Sequence, residues 1–268
     1  MTETYSKVTV AINLLIIWVA TAIGLLKLRE IDIAAKLECW TYAPNRYRLF
    51  HQLLIFLHDN PFSIVTLISL SFGVCVTISY FIIRPEGNDL SLFLLGVVLV
   101  GCFGYGLNAV MYPILALLSR YHKSPGAIFL LIPLALVKEF AFFVAVVFLF
   151  LVSRTRYLKL RALIVGALGV VCYLILRCMI LGDVGNSPVS APLFTLFYMI
   201  QGVDIWLLGV GCCAVLMICL ASRTRHDWYL TIVTALVVSI FALWWEPQLW
   251  LPTLILILAE PRRRTEEP

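Results

Sequence analysis

Two charged residues, Lys138 and Glu139, stand side by side in an apolar run that otherwise continues from Gly126 to Val152. A charged side chain at the centre of a bilayer costs roughly 2.5–3.5 kcal/mol, so such a pair requires a partner, a wet cavity or a ligand. Adjacent residues on a helix point about 100° apart and cannot pair face to face. The pair is therefore either a clamp between helices, with Asp204 and Arg177 as candidate partners, or part of a functional site.

A second set of chemically capable residues comes after the first apolar segment. Glu30 and Asp32 stand directly behind it, and Arg46 and Arg48 lie further along the same loop. A carboxylate at a membrane surface suits a general base acting on a hydroxyl, while guanidinium groups bind phosphate through two parallel hydrogen bonds. The alternative is a solvated loop of mixed charge next to the membrane.

The composition indicates the elements that position these residues. Hydrophobic residues make up 62% of the 268 and charged residues only 13%. The apolar residues form long blocks rather than amphipathic patterns, which is typical of an integral membrane protein. No repeat or long linker divides the chain, so we expect one membrane domain over residues 1–268.

The fold class predicted is all-α, a polytopic bundle of transmembrane helices. A span needs about 20 mostly apolar residues, and this rule gives seven or eight spans, with the last one short. They run from Val8 to Leu26, Phe62 to Ile83, Leu90 to about Tyr105, Gly126 to Val152, Leu160 to Leu181, about Asp204 to Ala221, Trp228 to Trp245 and Leu249 to Ala259.

Two further segments are too short or too interrupted to span. Asn108 to Lys123 contains Pro113 and is predicted to lie along the interface or to re-enter the bilayer, and Leu49 to Leu57 resembles a short interfacial helix. Together they could cover a lateral cavity on the outer side. The three tryptophans around Glu246 indicate an interfacial belt.

Basic residues in short loops predict which side faces the cytoplasm. They fill residues 154–161, 223–225 and 262–264, and eight spans place these three segments on one side with both termini cytoplasmic. The same count of eight spans places four segments on the outer side of the membrane: Lys27 to Asn60, Asn108 to Ser124, Gly182 to Ser190 and Trp244 to Trp250. Five basic residues in the first of them argue against the assignment unless they have a role there.

No metal, cofactor or nucleic acid is expected. Seven of the eight cysteines fall in apolar spans, where a thiol acts as a small hydrophobe, and the four histidines are scattered without ligand-like spacing. The net charge of +5 arises from clusters that flank the membrane, with no soluble domain to present them to nucleic acid.

Three stretches resemble polytopic GT-C-type glycosyltransferases. The segment LLIPLALVKEFAFFVAVVFLFLVSRTRYLKLRALIVGALGVVCYLILR is similar to a helix with a Lys-Glu pair, a basic cytoplasmic turn and a helix ending in Arg. YAPNRYRLF resembles the region after the first outer loop of many such bacterial proteins, and LWWEPQLWLPTLILIL resembles their closing helix. Family members are usually much longer, and Glu30-Ile31-Asp32 matches no strict acidic motif.

The resemblance implies an enzyme of the bacterial inner membrane and cell envelope that uses a polyprenyl-phosphate-linked sugar. Asp32 or Glu30 would then be the catalytic base, and the lipid phosphate would bind to basic residues among Arg46, Arg48, Lys138 and Arg177. Glu139 would orient the lysine or hydrogen-bond a sugar hydroxyl. Because the lipid phosphate is already a leaving group, this chemistry requires no metal.

A function of a different class stays open beside this one. The chain could be a non-catalytic translocator of lipid-linked sugars, or a structural membrane subunit of a larger complex with partner subunits. Glycines at positions 101, 104 and 106 and at 202 and 211 interrupt two segments, as broken transporter helices do. A translocator needs charged residues along a path to both faces, whereas a transferase gathers them at one face.

Overall fold

The computed structural model describes residues 7–30, 61–103, 109–137, 139–153, 155–181, 205–241 and 247–260. In these residues all regular structure is helical, which confirms the predicted all-α class for them. The helices are α1 (Lys7–Glu30), α2 (Pro61–Ile83), α3 (Asn88–Phe103), α4 (Met111–Arg120), the 3-10 helix Pro125–Leu130, α5 (Leu131–Val137), α6 (Glu139–Val152), α7 (Arg156–Leu181), α8 (Ile205–Ala221), α9 (Arg225–Phe241) and α10 (Pro247–Ala259).

Two helices are long and apolar enough to cross a membrane, over Lys7–Leu26 and Thr66–Ile83. The prediction of seven or eight spans is not confirmed, because the further apolar helices among the described residues are only 10–17 residues long. They lie at Asn88–Cys102, Pro125–Ala135, Phe140–Val152, Gly209–Ala221 and Leu249–Ala259.

Helix α10 forms the centre of the bundle. Every residue from Leu249 to Ala259 is buried, and the helix packs against α2, α3, α4, α6, α8 and α9. Its one hydroxyl, on Thr253, shares a hydrogen bond of 2.9 Å with Thr234 of α9, so this polar group is satisfied inside an apolar core. Trp250 is 1% exposed, so it packs in the core of the bundle.

Several helix ends meet at one end of the bundle, which we call the basic end. It comprises residues 84–87, 121–124, 153 with 155, 222–224 and 260. One cavity is lined by residues from the first, second and last of these segments, and another by residues from the second and third. An ion pair of 2.7 Å between Arg223 and Asp89 brings in the fourth.

Helix α1 begins toward the basic end. The amide nitrogen of Asn13 donates a hydrogen bond of 3.0 Å to the Tyr80 hydroxyl, one turn before α2 ends at the basic end. Further along α1, Ala20 lies against Gly101, near the far end of α3. Lys7 and Glu260, the first and last described residues, therefore both lie toward the basic end.

The segment from Gly126 to Val152 does not form the single span predicted from its hydropathy. Its two ends both lie at the basic end, because the His122 ring is 6.0 Å from the Phe148 ring and Ser124 and Ser153 line the same small cavity. The chain therefore runs away from the basic end through α5 and returns through α6. Hydropathy detects apolar length but carries no information about chain direction.

Helix α4 also differs from its prediction as an outer interfacial or re-entrant segment. It packs against α2 and α10, and Met111, Tyr112 and Leu115 are buried. The Ser119 hydroxyl donates a hydrogen bond of 2.6 Å to the Leu256 carbonyl of α10. Residues 121–124 consequently lie at the basic end, on the side opposite to the one that parity predicted. The companion segment Leu49 to Leu57 lies outside the described residues.

Candidate functional site

Most of the residues that the sequence singles out are not described at the level of side chains. Asp32, Arg46, Arg48, Lys138 and Asp204 lie outside the described residues. Glu30, Glu139 and Arg177 are described only through the backbone of their helices, so each of these three is placed by its position along a helix.

Helices α6 and α7 pack side by side in opposite directions. Gly166 of α7 lies against Val146 of α6, and Gly169 lies against Phe142, so the position opposite Glu139 falls near residue 172. Arg177 is five residues further along α7, roughly 7–8 Å at 1.5 Å per residue. The fold thus brings Glu139 and Arg177 to neighbouring helices at the end opposite the basic end.

Glu30 occupies the same end of the bundle but a different group of helices. It is the last residue of α1, which packs against α2 and α3. Glu139 is the first residue of α6, where the positive end of the helix dipole favours a carboxylate. The dipole provides a purely structural role for this acid that remains available beside any functional one.

The basic end carries a second group of charged residues, which the sequence did not single out. A cavity of about 360 Å³ opens there, near the small end of the range of ligand pockets, roughly 300–1,000 Å³. Its apolar wall includes Ile83, Leu258 and Ala259. Its polar wall combines two cations with three acids and a phenol: Arg84, Arg120, Glu86, Asp89, Glu260 and Tyr121.

Two local features hold the arginines at this cavity. Arg84 directly follows α2 and has a φ of 50°. Glycine usually occupies this left-handed conformation after a helix, and it costs any other residue about 1 kcal/mol or more. Arg120, at the end of α4, donates a hydrogen bond of 2.8 Å to the Ile82 carbonyl. Arg84 therefore carries a long side chain at a position where the backbone conformation favours glycine.

A network of polar contacts fixes the loops around the cavity. Asp89 is buried and accepts a hydrogen bond of 2.7 Å from the half-exposed Arg223 guanidinium. The Asp227 carboxylate accepts hydrogen bonds of 3.0 and 2.8 Å from the backbone N–H groups of Arg223 and Thr224. The Thr224 hydroxyl in turn accepts one from the Asp227 N–H, which forms a reciprocal cap on α9.

Two groups in these loops have shifted pKa values. Burial raises the pKa of the Glu260 carboxyl, the neighbouring Asp227 carboxylate adds to the rise, and Lys123 opposes it. Burial lowers the pKa of His122 against the opposing effect of its hydrogen bond, since Nδ1 donates to the Ser119 carbonyl at 2.6 Å. Burial thus disfavours the charged form of both groups.

Some of this site was visible in the sequence. Thr224 and Asp227 have the spacing of a helix-capping pair, and the turn composition of RPEGND at 84–89 marks a chain reversal. The pairing of Asp89 with Arg223 was not visible, because 134 residues separate them.

Comparison with known proteins identifies no relative: no family model matches this sequence, and no curated protein or solved structure is significantly similar to it.

Proposed function

We propose that the chain is a polytopic membrane glycosyltransferase that takes its sugar from a polyprenyl-phosphate carrier on the extracytoplasmic side. The observation that supports this proposal is that the backbones of Glu139 and Arg177 lie on neighbouring helices at the end opposite the basic end. In the sequence, Lys138 directly precedes Glu139, the first residue of α6, and Arg177 adds a second cation four residues before α7 ends.

The orientation in this proposal follows from the distribution of charge. Arginines and lysines concentrate at the basic end, and basic residues favour the cytoplasmic side of a membrane. The opposite end then faces outward, together with the loop that begins after Glu30. Both termini are cytoplasmic in this arrangement.

The proposed reaction forms a bond between the acceptor oxygen and the anomeric carbon while the bond from that carbon to the lipid phosphate breaks. Asp32, or Glu30 in its place, accepts the acceptor's proton. Arg46, Arg48 and Lys138 neutralise the departing phosphate, a charge-stabilising role suited to a water-poor site. The acceptor is glycosylated, and polyprenyl phosphate leaves.

The competing function, a translocator or a structural subunit, receives less support from the described residues. A translocator requires a polar path between the two ends, whereas the axis of this bundle is filled by the buried, almost wholly apolar α10. Only an activity measurement separates these classes directly.

The test is turnover of a panel of polyprenyl-phosphate sugars by the purified protein in lipid nanodiscs. We expect Asp32→Asn and Lys138→Met each to lower the rate about 100-fold or more, the usual effect of losing a general base or a charge-stabilising group. Lys159→Met, which removes a lysine at the start of α7, is the matched control and is expected to retain activity.

Sugar transfer that depends on Asp32 and Lys138 but not on Lys159 would support the proposal. A folded protein that turns over no donor would overturn it. Movement of an intact lipid-linked sugar between leaflets, without release of the sugar, would establish the translocator instead.

A further inference from the structure

The cavity at the basic end has a composition that a simple anion site does not need. Two arginines line it, but so do the exposed Glu86 and the partly buried Glu260. An anion alone would be repelled by these two carboxylates, and a cation alone by the two guanidinium groups. A ligand that carries both charges a short distance apart satisfies both halves of the wall.

The cationic half of the cavity is suited to a phosphate group. Guanidinium groups match phosphate oxygens geometrically, and Arg120 is already oriented by its hydrogen bond to the Ile82 carbonyl. Arg84 adopts a φ of 50° directly before a proline, a conformation that disfavours any residue with a side chain. Its retention there is explained if its guanidinium group binds something.

The acidic half of the cavity is suited to a primary ammonium group. Glu260 stands at the end of α10, partly withdrawn from water, where the Asp227 carboxylate raises its pKa and Lys123 opposes the rise. A small ammonium group donates three hydrogen bonds and can satisfy carboxylates on two sides. A trimethylated ammonium has no N–H to donate and is bulkier, so it fits this wall less well.

We propose that the cavity at the basic end binds a phosphoethanolamine group, with Arg84 and Arg120 on the phosphate and Glu86 and Glu260 on the ammonium. The cavity also has an apolar wall, which is formed by Ile83, Leu258 and Ala259. This wall favours the headgroup of phosphatidylethanolamine over the free compound. The site lies at the opposite end from the proposed transferase chemistry and does not depend on it.

The test measures binding of short-chain phosphatidylethanolamine, phosphatidylcholine, phosphatidylglycerol and free phosphoethanolamine to the purified full-length protein by native mass spectrometry. We expect phosphatidylethanolamine to bind roughly tenfold more tightly than the two other lipids, which corresponds to one charged hydrogen bond gained. Tighter binding of the lipid than of free phosphoethanolamine identifies a lipid site, and equal binding identifies a soluble ligand of the same chemistry.

Arg84→Gly is the decisive variant because it removes the guanidinium group while giving the turn the residue that its backbone favours. A loss of binding in this variant therefore does not reflect misfolding. Glu260→Gln should weaken phosphatidylethanolamine binding and leave phosphatidylglycerol binding unchanged or stronger. Arg156→Gln, at an exposed arginine outside the cavity, is the matched control and should bind all four ligands as the parent protein does.

Three results would overturn the proposal. The first is equal affinity for all three lipids, and the second is phosphatidylethanolamine binding that survives both Arg84→Gly and Glu260→Gln. The third is a preference for phosphatidylglycerol that Glu260→Gln does not alter, because the cavity would then be an anion site without a cation half.

Discussion

The two ends of this bundle are built by different physical means. At the basic end, short connections are joined by an ion pair between the half-exposed Arg223 and the buried Asp89, a reciprocal helix cap and hydrogen bonds from side chains to helix-terminal carbonyls. Toward the opposite end, α1 and α3 approach each other backbone to backbone through Gly24, Ala20 and Gly101.

This difference bears on where function is expected. Loops carry function when a rigid scaffold positions them. The two longest connections, 30 residues between α1 and α2 and 23 between α7 and α8, belong to the opposite end, whereas four residues join α2 to α3 at the basic end. The basic end is a scaffold that carries the cavity of about 360 Å³. At the opposite end, Glu30 ends α1, Glu139 begins α6, and Arg177 lies four residues before the end of α7.

The largest effect on stability is expected from Gly101→Val, which tests the packing toward the opposite end. A Cβ atom at Gly101 would lie 2.6 Å from the Ala20 carbonyl oxygen, and backbone cannot yield as a flexible side chain can. We expect a loss of about 3 kcal/mol in the free energy of unfolding, at the upper end of overpacking effects.

Gly209→Val is the matched control, since no atom of the described residues lies within 4 Å of a Cβ placed there. Thermal unfolding of both variants in the same detergent checks the prediction. Equal melting temperatures for the two variants would show that the approach of α1 to α3 does not hold this part of the bundle.

A smaller effect is expected from Arg223→Ala, which tests the polar network of the basic end. The change removes one partner, the Arg223 guanidinium group, from the Asp89 carboxylate, which is 5% exposed. Removing one partner of a buried pair costs several kcal/mol, but Arg223 is half exposed and water compensates in part, so we expect about 1–2 kcal/mol.

Arg225→Ala removes a neighbouring exposed arginine with no ion pair among the described residues, and it should cost less than about 0.5 kcal/mol. Chemical denaturation of both variants measures the difference. If the two arginine variants are equally stable, the basic end is held by packing alone and its contrast with the opposite end disappears.

Much of the helical framework could be predicted from composition. The segments Val8 to Leu26 and Phe62 to Ile83 match α1 and α2 closely, because long apolar runs bounded by charge or proline have few other solutions. The positions and directions of the helices within the bundle could not be predicted. Hydropathy does not distinguish the buried centre α10 from a peripheral span, and it gave no direction to the segment containing α5 and α6.

One signal in the sequence was open to another interpretation. In the sequence, Lys138 and Glu139 interrupt the apolar run after Val137, the last residue of α5, and α6 then runs in the opposite direction to α5. A charged interruption of an apolar run is compatible with a chain reversal as well as with an intramembrane site, and hydropathy alone does not separate the two. The basic-end cavity was invisible for a different reason, because its walls come from residues far apart in sequence, such as Arg84 and Glu260.

The smallest effect is expected from the titration of Glu260, which tests how far the basic end is closed to water. Its pKa is raised in the folded state by burial and by Asp227, so the folded protein binds more protons than the unfolded chain between 4.5 and the raised value. Stability contributed by this group is therefore fully present below pH 4.5 and falls as the pH rises through that window. Melting temperatures measured across this range should decrease with rising pH in the parent protein and should not show this decrease in Glu260→Gln. Glu86→Gln removes an exposed carboxylate of the same cavity, and its melting temperature should still decrease. An identical pH dependence in the parent protein and Glu260→Gln would mean that Glu260 is solvated in the folded state and that the end of α10 is more open than the structure has it.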